Sequence, residues 1–176
     1  LGFGPVMVMG AHYVLTAPIH NNILSSWNWA EALVASIPIA ILVMLIVWIN
    51  QFQDAPSDAA VGKNTWVVRT AEQGDWMKLE KPMRLYKQFM IEAFIAVALI
   101  GVLSLFTDIG TVYAFIALAP LALVWKAFKM ADEWMIKWNN PEADRQKVPY
   151  ELLLVNVSTI GIHFLTGILI AVAYIL

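Results

Sequence analysis

Asp54 and Asp58 stand four residues apart, preceded by Asn50 and followed by Lys63 and Arg69. On a helix, carboxylates at i and i+4 share one face, with Cβ atoms roughly 5–6 Å apart. Such a pair suits Mg2+, which is commonly held by one or two carboxylates together with phosphate oxygens and water. Lys63 offers a point charge and Arg69 a planar fork, the two forms in which proteins present cations to phosphate. Asn50 can orient an aspartate or donate to a phosphate oxygen, and Gly62 permits a tight backbone approach. The chemistry open to these residues is capture of a diphosphate through a divalent cation. Pro56 complicates the geometry, because it lacks an N–H and disfavours helix at Ala55. Two arrangements follow: a kinked helix, or a new helix whose N-cap is Asp54.

The element that must position these groups is the apolar run before them, in which residues 32–49 carry no charge. The whole chain shares this character. It is 60% hydrophobic and only 14% charged, with a mean hydropathy of +0.68. Ordinary globular domains are about 45–50% apolar and about 25% charged. A soluble protein of this size could not cover so much apolar surface with so few charges, so the chain reads as an integral membrane protein. Its net charge of -2 points to no polyanionic partner and excludes a nucleic-acid role. Cysteine is absent, which excludes disulfides and thiolate chemistry, and His12, His20 and His163 have no zinc-ligand spacing.

Five apolar segments predict an all-α, polytopic bundle of about five transmembrane helices: 1–16, 31–50, 89–106, 111–125 and 152–176. None shows the period-2 alternation of a membrane β-barrel strand. The third and fourth are slightly short unless Lys87 and Lys126 snorkel. All 11 basic residues fall within 63–87 or 126–147, and the alternate connections, 16–27 and 107–111, carry none. This asymmetry places the 50–88 and 126–150 connections on the cytoplasmic side and the C-terminus on the opposite side. Trp27, Trp29, Trp48, Trp125, Trp134 and Trp138 lie near segment ends, as an interfacial aromatic belt requires. Within the 50–88 connection, Gly74 and Pro82 punctuate the chain, and 76–87 is expected to form a short amphipathic helix.

The full string N-x-x-x-D-x-x-x-D-x-x-x-G-K-x-T-x-x-V-R, from Asn50 to Arg69, resembles the second aspartate-rich motif of the UbiA superfamily of intramembrane prenyltransferases. Its nearest likeness is the MenA-like branch, which prenylates 1,4-dihydroxy-2-naphthoate. Gly10-Ala11-His12-Tyr13-Val14 resembles the G-x-Y-Y-V pattern of that branch. Gln53 and Trp66 depart from it, standing where relatives more often carry Arg or Pro and Leu respectively. The resemblance covers the whole chain as the C-terminal half of a nine-helix bundle with a central cavity, residues 1–176 being the C-terminal part of one prenyltransferase domain. It implies Mg2+-dependent transfer of a prenyl group from a polyprenyl diphosphate to an aromatic acceptor, as in quinone biosynthesis. In that reading Asp54 and Asp58 hold the metal, while Lys63, Arg69 and Asn50 contact the diphosphate. His12 and Tyr13 would line the acceptor pocket. A missing N-terminal half would carry the other Asp motif, without which these residues would not suffice for transfer. The alternatives are a non-catalytic membrane protein that binds isoprenoid diphosphates or acts as a partner subunit, and a transporter or channel, disfavoured because the intramembrane charges trace no pathway.

Asn156 and His163 are expected to serve as interhelical polar contacts, Glu92 to pair with a nearby cation at the interface, and Asp108 to occupy an outside turn. Glu72 and Asp75 read as solvated loop residues near the motif.

Overall fold

Apolar chain in a bilayer has no water to satisfy its backbone, so helix is the only open-ended solution. The computed structural model describes residues 2–16 and 29–176, and it is predominantly helical, with no strand among the described residues. A π-helical turn, Gly2–Val6, leads into α1, Met7–Thr16; α2 is Trp29–Ala60, α3 is Trp66–Thr70 and α4 is Glu80–Leu103. A 3-10 stretch, Val112–Leu118, precedes α5, Leu121–Trp138, and another, Val148–Leu152, precedes α6, Leu153–Ile175.

Among the described residues, four helical spans are long and apolar enough to cross a membrane: Trp29–Ala60, Glu80–Leu103, Val112–Trp138 and Val148–Ile175. The chain is therefore a multi-pass membrane protein. Within the described residues, the first apolar segment contributes the shorter apolar helix Gly4–Leu15. The two segments that looked short are longer than their uncharged stretches. α4 begins nine residues before 89, absorbing most of the expected 76–87 amphipathic helix, and the fourth span continues through Lys126, Lys129 and Asp132 to Trp138. Their charged turns ride on helix that outruns the hydrocarbon. Ile91, Ile95, Leu99 and Val102 on α4 form a ridge of exposed apolar side chains, as do Leu153, Val157 and Ile160 on α6. Such contiguous apolar surface is what a lipid-facing helix presents.

The chain forms two compact units. One comprises Leu1–Val43, Glu92–Pro120 and His163–Leu176. Its core gathers Val97, Ala117 and Ile170, with Ala35, Ile39 and Leu169 against them. Gly4 is obligatory there, because a Cβ at that position would lie 2.2 Å from the Ala40 Cβ. Asp108 is exposed in the turn after α4, as expected, while the 16–27 connection, His20 and Trp27 lie outside the described residues.

The other unit comprises Met44–Ile91 and Leu121–Ile162 and holds every Lys and Arg of the sequence. Its core is aromatic. Trp48, Trp134 and Trp138 are buried, contrary to their expected place in an interfacial belt. Each indole N–H finds a backbone carbonyl: Trp48 donates to Pro82 at 3.2 Å, Trp134 to Val148 at 2.7 Å and Trp138 to Met77 at 2.9 Å. Those bonds remove the cost of burying a polar N–H and free the rings to pack. Trp134 stacks on Trp138 at 5.2 Å, and Phe52 meets Trp134 edge-on at 5.9 Å. Only Trp29 and Trp125 among the expected belt residues are exposed within the described chain.

Candidate functional site

The 32 residues of α2 extend about 48 Å, well beyond the roughly 30 Å of hydrocarbon. The excess carries the acidic motif. The helix runs through Pro56 to Ala60, so Asp54 is an interior helical residue and not an N-cap. Ser57 supports the proline turn by donating its hydroxyl to the Asp54 carbonyl at 2.8 Å. Asn50, Asp54 and Asp58, at successive i+4 positions, make one ridge along the end of the helix.

The helix stops in a Schellman motif built from the motif's own glycine and lysine. Gly62 adopts φ +70°, its N–H bonds to the Ala59 carbonyl at 3.1 Å, and the Lys63 N–H bonds to the Asp58 carbonyl at 2.8 Å. Those paired bonds satisfy carbonyls that every helix end leaves open. They also turn Lys63 back over the last helical turn. Its Nζ lies 3.0 Å from Asp58 Oδ1. Gly62 therefore acts through its backbone conformation and not through close approach, since a Cβ there would meet nothing within 4 Å.

Asp58 is 6% exposed, whereas Asp54 is exposed. With Oδ1 held by Lys63, the second oxygen, Oδ2, is buried and has no hydrogen-bond partner among the described residues. A buried acceptor left open is unusual and marks a place where a cation or donor can be accommodated. Lys63 itself is 64% exposed along its side chain and keeps donors for a second partner. Arg69 sits on α3, exposed, and its guanidinium makes no hydrogen bond or ion pair with the described residues. α3 is fixed against α2 by Gln51, whose Oε1 accepts the Val67 N–H at 3.2 Å, and by burial of Val67 and Val68. Trp66 adds an edge-on contact with Trp48 at 5.9 Å.

Asn50 Oδ1 accepts a hydrogen bond from Asn156 Nδ2 on α6. One lone pair of its carbonyl oxygen is thus used, and its two amide N–H donors are left to meet a ligand. Asn156 is buried, with Oδ1 open. A polar residue on an apolar helix was the signal for Asn156, and the fold brings it to the head of the acidic ridge. Glu72 is exposed, and Asp75 closes a local turn by accepting the Met77 N–H at 3.0 Å, so both remain loop residues.

His12 and Tyr13 lie on α1, in the other unit, half-buried and exposed respectively. That unit contains an apolar cavity of about 530 Å3, lined by Val8, Ala35, Ile39, His163, Gly167 and Tyr174. Neither His12 nor Tyr13 lines it. No protein-family model matches the chain, and comparison with curated proteins and with solved structures gives no match.

Asp54, Asp58, Lys63 and Arg69 sum to zero charge. Among the described residues no group of three or more His, Cys, Asp or Glu converges. The arrangement can therefore supply two carboxylates to a hard cation, which leaves further coordination to other oxygens, and Mg2+ is the divalent ion most suited to that.

Proposed function

We propose that this chain binds the diphosphate of an isoprenoid diphosphate through Mg2+ and serves as the C-terminal part of a UbiA-type intramembrane prenyltransferase, acting toward an aromatic acceptor. The observation that carries the reading is the open, buried Oδ2 of Asp58 beside the exposed carboxylate of Asp54. Asp54 and Asp58 would hold the metal. When bound, Mg2+ would neutralise phosphate charge and favour departure of diphosphate. Lys63, already anchored on Asp58, presents its remaining N–H groups to the phosphate oxygens. Arg69 contributes a bidentate fork, and the Asn50 amide donates a further hydrogen bond. Lys63 is held beside Asp58 before the substrate arrives, so its placement needs little reorganisation as charge develops on the leaving group.

The same unit holds every Lys and Arg, which supports a cytoplasmic position for the motif by the positive-inside pattern. The chain has no cysteine, so a single Asn139→Cys substitution would report the side directly. Labelling by a membrane-impermeant maleimide in intact cells would reverse the assigned orientation.

The functional test is binding of a polyprenyl diphosphate to the purified full chain with and without Mg2+. Asp58→Asn and Asp54→Asn should each weaken Mg2+-dependent binding at least tenfold. Undiminished binding in both variants would remove the metal role. Binding without prenyl transfer, even with a complementary half that carries the other acidic motif, would favour the non-catalytic binding protein.

A further inference from the structure

At the end of α2, a cleft of about 630 Å3 opens between Gln53, Pro56 and Ser57 and the 145–150 segment. Its lining includes Gln53, Ser57, Arg145, Gln146, Lys147 and Tyr150, and no carboxylate. Two cations line it and no acid does, a charge balance that favours a negative ligand. Arg145 is fixed in place. Its guanidinium lies over the Trp138 ring, 4.5 Å from the centroid, and donates to the backbone carbonyl of Trp138. Stacking of this kind orders the planar fork in advance, and a guanidinium carries five N–H donors, more than these contacts use. Lys147 is 84% exposed along its side chain and, among the described residues, pairs only with Asp144, at 3.4 Å. Asp144 in turn accepts the Gln146 N–H at 3.0 Å, which ties the segment's shape to the same residues. The Gln53 and Gln146 amides and the Tyr150 hydroxyl have no partner among the described residues and supply neutral donors around the two charges.

What lies beside the cleft identifies the ligand. Tyr150 is exposed, and from it an uninterrupted apolar stripe descends α6 through Leu153, Leu154, Val157 and Ile160, all exposed. Tyr150 belongs to the 3-10 turn that precedes α6, and Leu153, Val157 and Ile160, at i, i+4 and i+7 with Leu154 beside them, share one face of the helix. A phosphate-binding cleft at the head of a lipid-facing apolar ridge matches a molecule that is anionic at one end and acyl at the other. We infer that the cleft formed by Gln53, Arg145, Gln146, Lys147 and Tyr150 binds the phosphate headgroup of an anionic glycerophospholipid, whose acyl chains lie along the exposed face of α6. The ligand is structural or regulatory, because neither Asp54 nor Asp58 lines the cleft.

The test uses the full chain in micelles, with native mass spectrometry reading the lipid retained from phosphatidylglycerol or phosphatidylcholine. Wild-type chain should retain phosphatidylglycerol in preference to phosphatidylcholine. A basic residue near an anionic lipid surface contributes about 1 kcal/mol, so Lys147→Gln should lower retention about fivefold. Lys147 makes one solvent-exposed contact, so this variant keeps the fold even if Arg145→Gln, which also loses the bond to Trp138, does not. Lys81→Gln, an exposed cation on α4, should leave retention unchanged. Equal retention of the two lipids, or undiminished retention by Lys147→Gln, would overturn the inference. So would an equal loss in Lys81→Gln, which would indicate only diffuse attraction. Displacement by inorganic phosphate alone would reassign the cleft to a soluble anion and overturn the lipid assignment.

Discussion

Gly62→Ala isolates the device that sets Lys63 against Asp58. The residue holds φ +70°, a conformation that costs a residue with a Cβ roughly 1–2 kcal/mol. No neighbour lies within 4 Å of the added methyl group, so there is no steric contribution and the backbone cost stands alone. That energy acts on two particular bonds, Gly62 N–H to Ala59 and Lys63 N–H to Asp58. A loss of 1–2 kcal/mol corresponds to about 5- to 30-fold more frequent opening. The assay is amide hydrogen exchange of the full chain in micelles, read at Gly62 and Lys63. Both amides should exchange about 5- to 30-fold faster in Gly62→Ala, and less so in Gly62→Asn, because Asn tolerates the left-handed conformation better. Gly74→Ala is the control: it also has positive φ and open space around it, and it should affect its own loop while sparing Lys63. Mg2+-dependent diphosphate binding should weaken with Gly62→Ala, because Lys63 no longer returns to Asp58. Unchanged exchange at Lys63 in Gly62→Ala would refute the reasoning, since the turn would not depend on the glycine.

The buried pair Tyr86 and Thr159 has a direction: the Thr159 hydroxyl donates to the Val155 carbonyl at 2.8 Å, so Tyr86 is the donor in the 2.6 Å contact between them. Thr159→Val leaves a buried phenol without an acceptor and should cost about 1–3 kcal/mol, more than the roughly 1 kcal/mol of Tyr86→Phe, in thermal melts in micelles. Asn50→Leu should destabilise by a similar 1–3 kcal/mol, because Asn156 loses its bond, whereas replacing both by Leu should recover most of the loss. Asp144 is held below the ordinary carboxylate range, first by the Gln146 N–H and then by Lys147. A depressed folded pKa stabilises above the unfolded value and is lost as pH falls. The protection of the Gln146 amide, taken against its intrinsic exchange rate, should therefore fall as pH drops from roughly 3.9 through the depressed folded pKa, and Asp144→Ala should abolish that pH dependence.

Membrane character, helical class and the position of the charged turns were legible from residue order, because hydropathy and helix formation depend on neighbours a few residues apart. The acidic ridge was legible for the same reason: i+4 spacing on a continuous helix places Asn50, Asp54 and Asp58 together. Pro56 obscured the continuity of that helix, since its local preference argues for a break, yet Ser57 bonds back to the Asp54 carbonyl and α2 continues. Helix limits in the third and fourth spans were less legible, because charge ends only the part of a helix that lies in hydrocarbon, and α4 and α5 run on past Lys87 and Lys126.

Tryptophan shows where local reading stops. An indole suits both a membrane interface and a core, because it joins a large apolar ring to one polar N–H. What decides is whether a backbone carbonyl is available to that N–H, and for Trp138 the carbonyl belongs to Met77, 61 positions away. The pairing of Asn50 with Asn156, 106 positions apart, has the same origin. So does the cleft that joins Gln53 to Arg145 and Lys147. By itself the sequence determined a multi-pass helical protein with two acids and two cations at the end of a long helix, since each of those features is set by local spacing. Only the tertiary structure decided which aspartate is buried, which oxygen stays open and which tryptophans form a core, because burial depends on side chains that folding brings together from distant positions.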